Sequence, residues 1–136
     1  HCFDSRKNNM VEEIRDLTNG GVDYAIDLAG VIQAMDTAYQ IIRYGGSVVT
    51  AGLSPINTKF SFNHSDLVAQ EKSILGSYMG SCVPVRDVPR FLNLYKQGRL
   101  PVNKLIDGKI TFDNLNEGFD KLSKGEVVRQ ILMPNA

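Results

Sequence analysis

Apolar positions recur at two different periods along this chain, and the alternation between them predicts its elements. Residues 8–18 carry Met10, Val11, Ile14 and Leu17 on one stripe, the spacing of an amphipathic helix. Asn19-Gly20-Gly21 follow, suited to stopping a helix in a left-handed turn. VDYAIDL, 22–28, then reads as a strand. The clearest helical face comes next, over 31–42, with Val31, Ala34, Met35, Ala38, Ile41 and Ile42, and Gly45-Gly46 are expected to end it. SVVTAGL, 47–53, is a nearly unbroken apolar run, as in parallel strands buried on both faces.

The pattern continues less regularly. TKFSF, 58–62, alternates and is expected as a short edge strand, and residues 65–70 as a turn of helix. KSILGSY, 72–78, is a third strong strand. Val88, Phe91, Leu92 and Tyr95 predict a helix over 85–97, with Pro89 tolerated in its first turn. Residues 104–112 look extended. Asp113 is expected to cap a helix carrying Leu115, Phe119 and Leu122, closed by Gly125. VVRQILM, 127–133, is a last strand. Alternating strand and helix predicts an α/β domain with a parallel sheet. A shift of composition near residues 81–84 suggests a hinge.

The strand ends carry the candidate chemistry. The first ends in Leu28-Ala29-Gly30, the second in Ala51-Gly52-Leu53, and the third runs through Gly76-Ser77-Tyr78-Met79-Gly80. In an open α/β sheet, ligands bind beyond the carboxyl ends of the strands. Three bare ends at one edge would let a flat ligand lie across them, hydrogen-bonded to main-chain amides and carbonyls. Glycines also end secondary structure everywhere, so each one by itself is weak evidence.

Composition narrows the picture. With 136 residues, 43% of them hydrophobic, one domain with a real core is expected. Fifteen basic and fifteen acidic residues cancel, so net charge offers no pull toward nucleic acid or a membrane surface. No apolar run approaches the ~18 residues of a membrane span, and no leader is expected. Two cysteines, Cys2 and Cys82, do not make a disulfide framework, and a reduced, cytoplasmic protein is the expectation. His1, Cys2, His64 and Cys82 lack the close pairing of a structural zinc site. The opening HCFD, without an initiator methionine, reads like the middle of a longer protein.

NGGVDYAIDLAG, GGSVVTAGL, SILGSYMGS and NEGFDKLSKGEVVRQIL together resemble the medium-chain, zinc-type alcohol dehydrogenases. Their order and spacing match along nearly the whole chain, and the tail motif is the most specific. The resemblance implies a partial Rossmann-type parallel sheet over 1–80, the second half of a nucleotide-binding domain. Over 81–136 it implies a connecting helix and the carboxyl-terminal segment of the catalytic domain. The chain resembles the final ~40% of such an enzyme, beginning near the third strand of the six-strand order. No G-x-G-x-x-G phosphate loop is present.

Site residues follow from the resemblance. Leu28, Ala29 and Gly30 would line the adenosine and ribose side of an NAD(P) groove, and Ala51, Gly52 and Leu53 would lie under the nicotinamide. The Ala51 and Ser77 carbonyls and the Met79 amide, with Tyr78 between them, would hold its carboxamide. Arg129, by itself a surface arginine on an edge strand, would reach the pyrophosphate with its planar fork. Relatives often have valine where Ala51 and Leu53 stand. Zinc would belong to the parent enzyme, bound by residues outside this chain, and the substrate would be a small alcohol or carbonyl compound. A homo-oligomer through the edge at 72–78 is implied.

Several residues remain open. Asp27 either faces the groove mouth or caps a backbone, and Asp23 is solvated. Tyr24, Tyr39 and Tyr44 are packing or surface residues. Glu117, Asp120, Lys121 and Lys124 form an exposed helical face. An alternative is an S-adenosylmethionine-dependent methyltransferase or a non-catalytic nucleotide-binding module, since R-Y-G-G-S-V-V also suits a late methyltransferase strand. If the first two Rossmann strands are missing, the strand at 22–28 keeps an unpaired apolar edge and the chain is expected to self-associate.

Overall fold

A computed structural model describes residues 1–135 of the chain. They divide into two compact units, His1–Cys82 and Val83–Ala136.

The first unit is built on three strands. Helix α1, Met10–Leu17, precedes β1, Val22–Asp27; α2, Ile32–Ile41, precedes β2, Ile42–Thr50; α3, His64–Ala69, precedes β3, Ser73–Gly76. The sheet order is β1-β2-β3, and both pairings are parallel. In the order 3-2-1-4-5-6, strands adjacent both in sequence and in the sheet occur only as 1-2-3 or 4-5-6. Three consecutive parallel strands in sequential order match one half of that arrangement.

One cluster of side chains holds the unit together. Ala25 from β1, Met35, Ala38 and Tyr39 from α2, and Ile42 and Val48 from β2 are buried, with Val22, Ile41, Phe60, Leu67 and Ile74 packed around them. Ile42 and Val48 are fully buried, each contributing about 1.5–3 kcal/mol by leaving water. Of the helical face predicted for 31–42, Met35, Ala38, Ile41 and Ile42 meet this surface, Ile42 from β2, whereas Val31 is exposed and Tyr39 joins from outside the predicted stripe.

Glycines 45 and 46 do not end that helix. α2 stops at Ile41, and Ile42 is already extended. Arg15 donates from Nη1 to the carbonyls of Gln40 (3.0 Å) and Ile42 (3.2 Å), and Lys72 Nζ donates to that of Tyr39 (3.1 Å). Cationic donors thus take the last carbonyls of the helix, where a glycine turn is more usual. Lys72 also lies 4.6 Å from the centre of the Tyr39 ring. Burial, and then the charge of Arg15, hold its ammonium below the usual lysine range. The two glycines lie inside β2, where pairing jumps from Val22–Ile42 to Tyr24–Ser47. This is a bulge, with Gly45 at φ +70°.

The remaining expectations shift for local reasons. TKFSF is not a strand. Its alternation places Phe60 and Phe62 beside Tyr39, with ring centres 6.3 and 6.1 Å away. β2 ends at Thr50 and β3 at Gly76, short of 53 and 78. After Gly76 the chain tightens into a 3-10 segment, Tyr78–Ser81. Met79, Gly80 and Ser81 there have φ of +50°, +68° and +54°.

The second unit contains α4, Pro84–Lys96, and the crossover β4 (Gly108–Ile110), α5 (Leu115–Ser123), β5 (Gln130–Leu132), whose strands pair in parallel. A 3-10 turn, Val102–Leu105, replaces the start of the extended segment expected at 104–112. Asn114, not Asp113, is the N-cap of α5, and its Oδ1 accepts from the Thr111 amide at 2.8 Å. Because α4 starts at Pro84, Pro89 falls in its second turn rather than its first. Asp87 is buried and accepts from the Val83 amide (2.8 Å) and from Arg86 Nε (2.8 Å).

Two predictions follow from the sheet. An added Cβ at Gly52 would sit 2.1 Å from the Gly30 nitrogen, whereas one at Gly76 meets nothing within 4 Å. In denaturant titrations, Gly52→Ala is expected to lose at least about 2 kcal/mol, since backbone cannot rotate away, and Gly76→Ala less than about 0.5 kcal/mol. Equal losses would contradict the close approach. The outer edge of β1 has no partner among the described residues, and Tyr24 and Ile26 on it are 70% and 66% exposed. Sedimentation of the 136-residue chain should show concentration-dependent association; a monomer at every concentration would refute this.

Candidate cofactor groove

The carboxyl ends of β1, β2 and β3 share one edge because both pairings are parallel and in step. Asp27 pairs with Thr50, and Thr50 with Gly76. Beyond them lies an open groove of about 380 Å³ lined by Thr50, Ala51, Gly52, Leu53, Gly76, Ser77 and Tyr78.

Gly30 and Gly52 are bare for a reason internal to the chain. A Cβ at Gly30 would lie 2.7 Å from the Leu53 carbonyl oxygen, as one at Gly52 would clash with Gly30. The two strand ends cross backbone to backbone, and Ser54 Oγ donates to the Gly30 carbonyl at 2.6 Å. Gly76 differs: its missing side chain leaves space within the groove.

Asp27 ties the crossing together. It is 5% exposed. Its Oδ1 accepts from the amides of Ala29 (2.9 Å) and Gly30 (3.3 Å), and its Oδ2 from Thr50 Oγ1 (2.9 Å). Its carbonyl accepts from the amides of Ala51 (2.9 Å) and Gly52 (3.2 Å). Of the two readings of Asp27, the backbone cap is therefore the observed one.

These bonds correct the expected shelf of bare amides. The amides of Ala29, Gly30, Ala51 and Gly52 all donate inward, and that of Ser77 donates to the Thr50 carbonyl at 2.9 Å. The Ala51 carbonyl takes no hydrogen bond among the described residues. The polar character left at this part of the floor is that of an acceptor. Leu28, Leu53, Tyr78 and Met79 are exposed and give the strand ends an apolar rim. Met79 follows the groove-lining residues at φ +50°. The first turn of such a segment leaves amides without internal partners.

Nine of the ten predicted residues thus lie on the three strand ends and the turn after β3. Arg129 belongs to the second unit. Its amide donates to Asp107 Oδ2 (3.1 Å), and its carbonyl accepts from the Asp107 amide (2.8 Å). Its exposed guanidinium has no partner among the described residues. It borders an apolar hollow of about 340 Å³ with Ile110, Phe119 and Leu122.

Sequence reasoning missed Thr50 as a groove residue, and placed Gly76 at the shared edge without giving it a contact. Asp27 had a readable signal, because an aspartate two and three residues before small residues commonly accepts from their amides. Among the described residues no group of three or more His, Cys, Asp or Glu could hold a metal ion, and Cys2 and Cys82 are free. The donor set among the described residues does not fit zinc. No described helix is long and apolar enough to cross a membrane.

Comparison with known proteins agrees with this geometry. The profile of the family described as zinc-binding dehydrogenase matches residues 1–97. Alcohol dehydrogenase 1 of Cenchrus americanus is 33% identical over 127 residues, which cover 92% of this chain and 33% of that protein. The chain spans about a third of the length of the curated relatives it matches. The crystal structure of an alcohol dehydrogenase zinc-binding domain protein from Burkholderia ambifaria superposes with a TM-score of 0.87 at 27% identity. The match covers 99% of this chain and 36% of that one. A zinc-binding dehydrogenase from Sinorhizobium meliloti 1021, solved bound to NADP, superposes with a TM-score of 0.71 at 26% identity, covering 87% of this chain and 33% of that one. With the parallel sheet, the shared strand-end edge and the profile match in agreement, the chain belongs to the zinc-binding dehydrogenase family.

Proposed function

We propose that this chain supplies the nicotinamide side of the cofactor groove in an NAD(P)-dependent alcohol dehydrogenase. The observation that carries the reading is the groove beyond β2 and β3, with its apolar rim, the open space at Gly76 and the unpartnered Ala51 carbonyl, found in a chain of this family.

Ala51, Gly52 and Leu53 form the surface under the nicotinamide ring. The Ala51 and Ser77 carbonyls accept from its carboxamide, and the Met79 amide donates to it. Leu28, Ala29 and Gly30 serve the adenosine and ribose side. Arg129 meets the pyrophosphate, where a planar fork can address two oxygens. The bound dinucleotide would supply the hydride acceptor or donor. The residues of this chain orient it and select the ring face that meets the substrate. The substrate is a small alcohol, or the matching aldehyde or ketone, and the full-length protein works in the cytoplasm as a homo-oligomer through the free edge of β3. This stretch by itself is inactive, since its sequence carries no G-x-G-x-x-G phosphate loop and its described residues offer no metal site.

The test uses the full-length protein with NAD or NADP and a panel of alcohols, followed by nicotinamide absorbance. Reduction of one cofactor is expected. Arg129→Ala should raise the cofactor KM about tenfold, the loss of one charge-assisted pair, with an unchanged melting temperature. No reduction of either cofactor would end the proposal.

A further inference from the structure

Asp27 has features that a simple strand terminator lacks. Its carboxylate is buried and is contacted by no Lys or Arg among the described residues. A buried charge persists only where hydrogen bonds compensate for lost water. Here they come from both sides of the strand crossing: Ala29 and Gly30 from its own turn, and Thr50 from the neighbouring strand. Those three bonds fix the Asp27 side chain, and with it the orientation of the Asp27 peptide carbonyl. That carbonyl in turn accepts from Ala51 and Gly52.

The geometry of the peptide bond carries the effect onward. In a trans peptide the C=O and the N–H point in opposite directions. No cis peptide occurs among the described residues. Gly52 directs its N–H at Asp27, on the β1 side. The Ala51 carbonyl, in the same peptide plane, is therefore turned away from β1. On that side lies the groove shared with Gly76 and Ser77.

We propose that Asp27 is a positioning residue for cofactor recognition. It holds the strand crossing so that the Ala51 carbonyl is aimed into the groove as an acceptor for the nicotinamide carboxamide. This rests on the cofactor reading above. Asp27 does not touch the ligand; it acts through the peptide between Ala51 and Gly52.

The test compares two ligands in the full-length protein by calorimetry: NAD or NADP, and the matching ADP-ribose, which lacks the nicotinamide. Asp27→Ala is expected to weaken the intact dinucleotide about tenfold more than ADP-ribose, which loses only what the freed Ala29 and Gly30 turn contributes to the adenosine side. Asp27→Asn keeps an acceptor for the turn and an amide that can donate to Thr50 Oγ1, and should bind both ligands within about threefold of wild type. If Asp27→Ala does not fold, Thr50→Val, which removes only the cross-strand bond, is read the same way. Equal weakening of both ligands, or none, overturns the positioning role while leaving the cofactor reading intact. A wild-type protein that binds neither ligand overturns both.

Discussion

The buried carboxylate of Asp27 organises the edge formed by the carboxyl ends of the strands. Asp27 closes the first strand, holds its own turn through two amides, and reaches the neighbouring strand through Thr50. Its carbonyl then holds the start of the turn after β2. Without those bonds, two glycine-bearing turns would approach backbone to backbone with only the Ser54–Gly30 bond to fix their separation. With them, Gly30 and Gly52 pack so closely that no other residue fits at Gly52. The groove beyond β2 and β3 is set by this crossing.

The rest of the first unit supports that edge from behind. Ile42 and Val48 lie fully buried in β2, between the two pairings that keep the strand ends in step. Arg15 and Lys72 take the final carbonyls of α2, so the helix can turn directly into β2 without a glycine. The bulge at Gly45 and Gly46 absorbs the extra residues before regular pairing resumes at Ser47. The opposite flank is open: Tyr24, Ile26 and Leu28 lie along an edge with no partner among the described residues. In the second unit, Val88, Phe91, Leu92 and Tyr95 on α4 are likewise exposed. The chain covers about a third of the length of the curated relatives it matches, and these surfaces are uncovered among the described residues.

Much of this was legible in the residues, and the failures share a cause. The runs at 22–28, 47–53 and 72–78 identified three strands, and the face from Val31 to Ile42 identified the helix that covers them, because both signals are local. The shared rim followed from parallel pairing. What local pattern could not supply was the partner across space. Gly45 and Gly46 looked like a helix stop because the two cationic donors that end α2 come from residues 15 and 72. The alternation at 58–62 looked like a strand because nothing local reveals Tyr39 as the surface on which Phe60 and Phe62 rest. Gly30 and Gly52 looked like openings for a ligand, yet each is first an accommodation to the other. Asp27 stood between two readings until Thr50 was placed beside it.

The claim that the strand crossing is one locked piece is most directly measured by amide hydrogen exchange, residue by residue. The amides of Ala29, Gly30, Ala51 and Gly52 should exchange as slowly as those of Val48 and Val49 within β2, because each is bonded to Asp27 and closes only with the sheet. Exchange at these four as fast as in the open loop that follows Leu53 would show that the crossing is not locked.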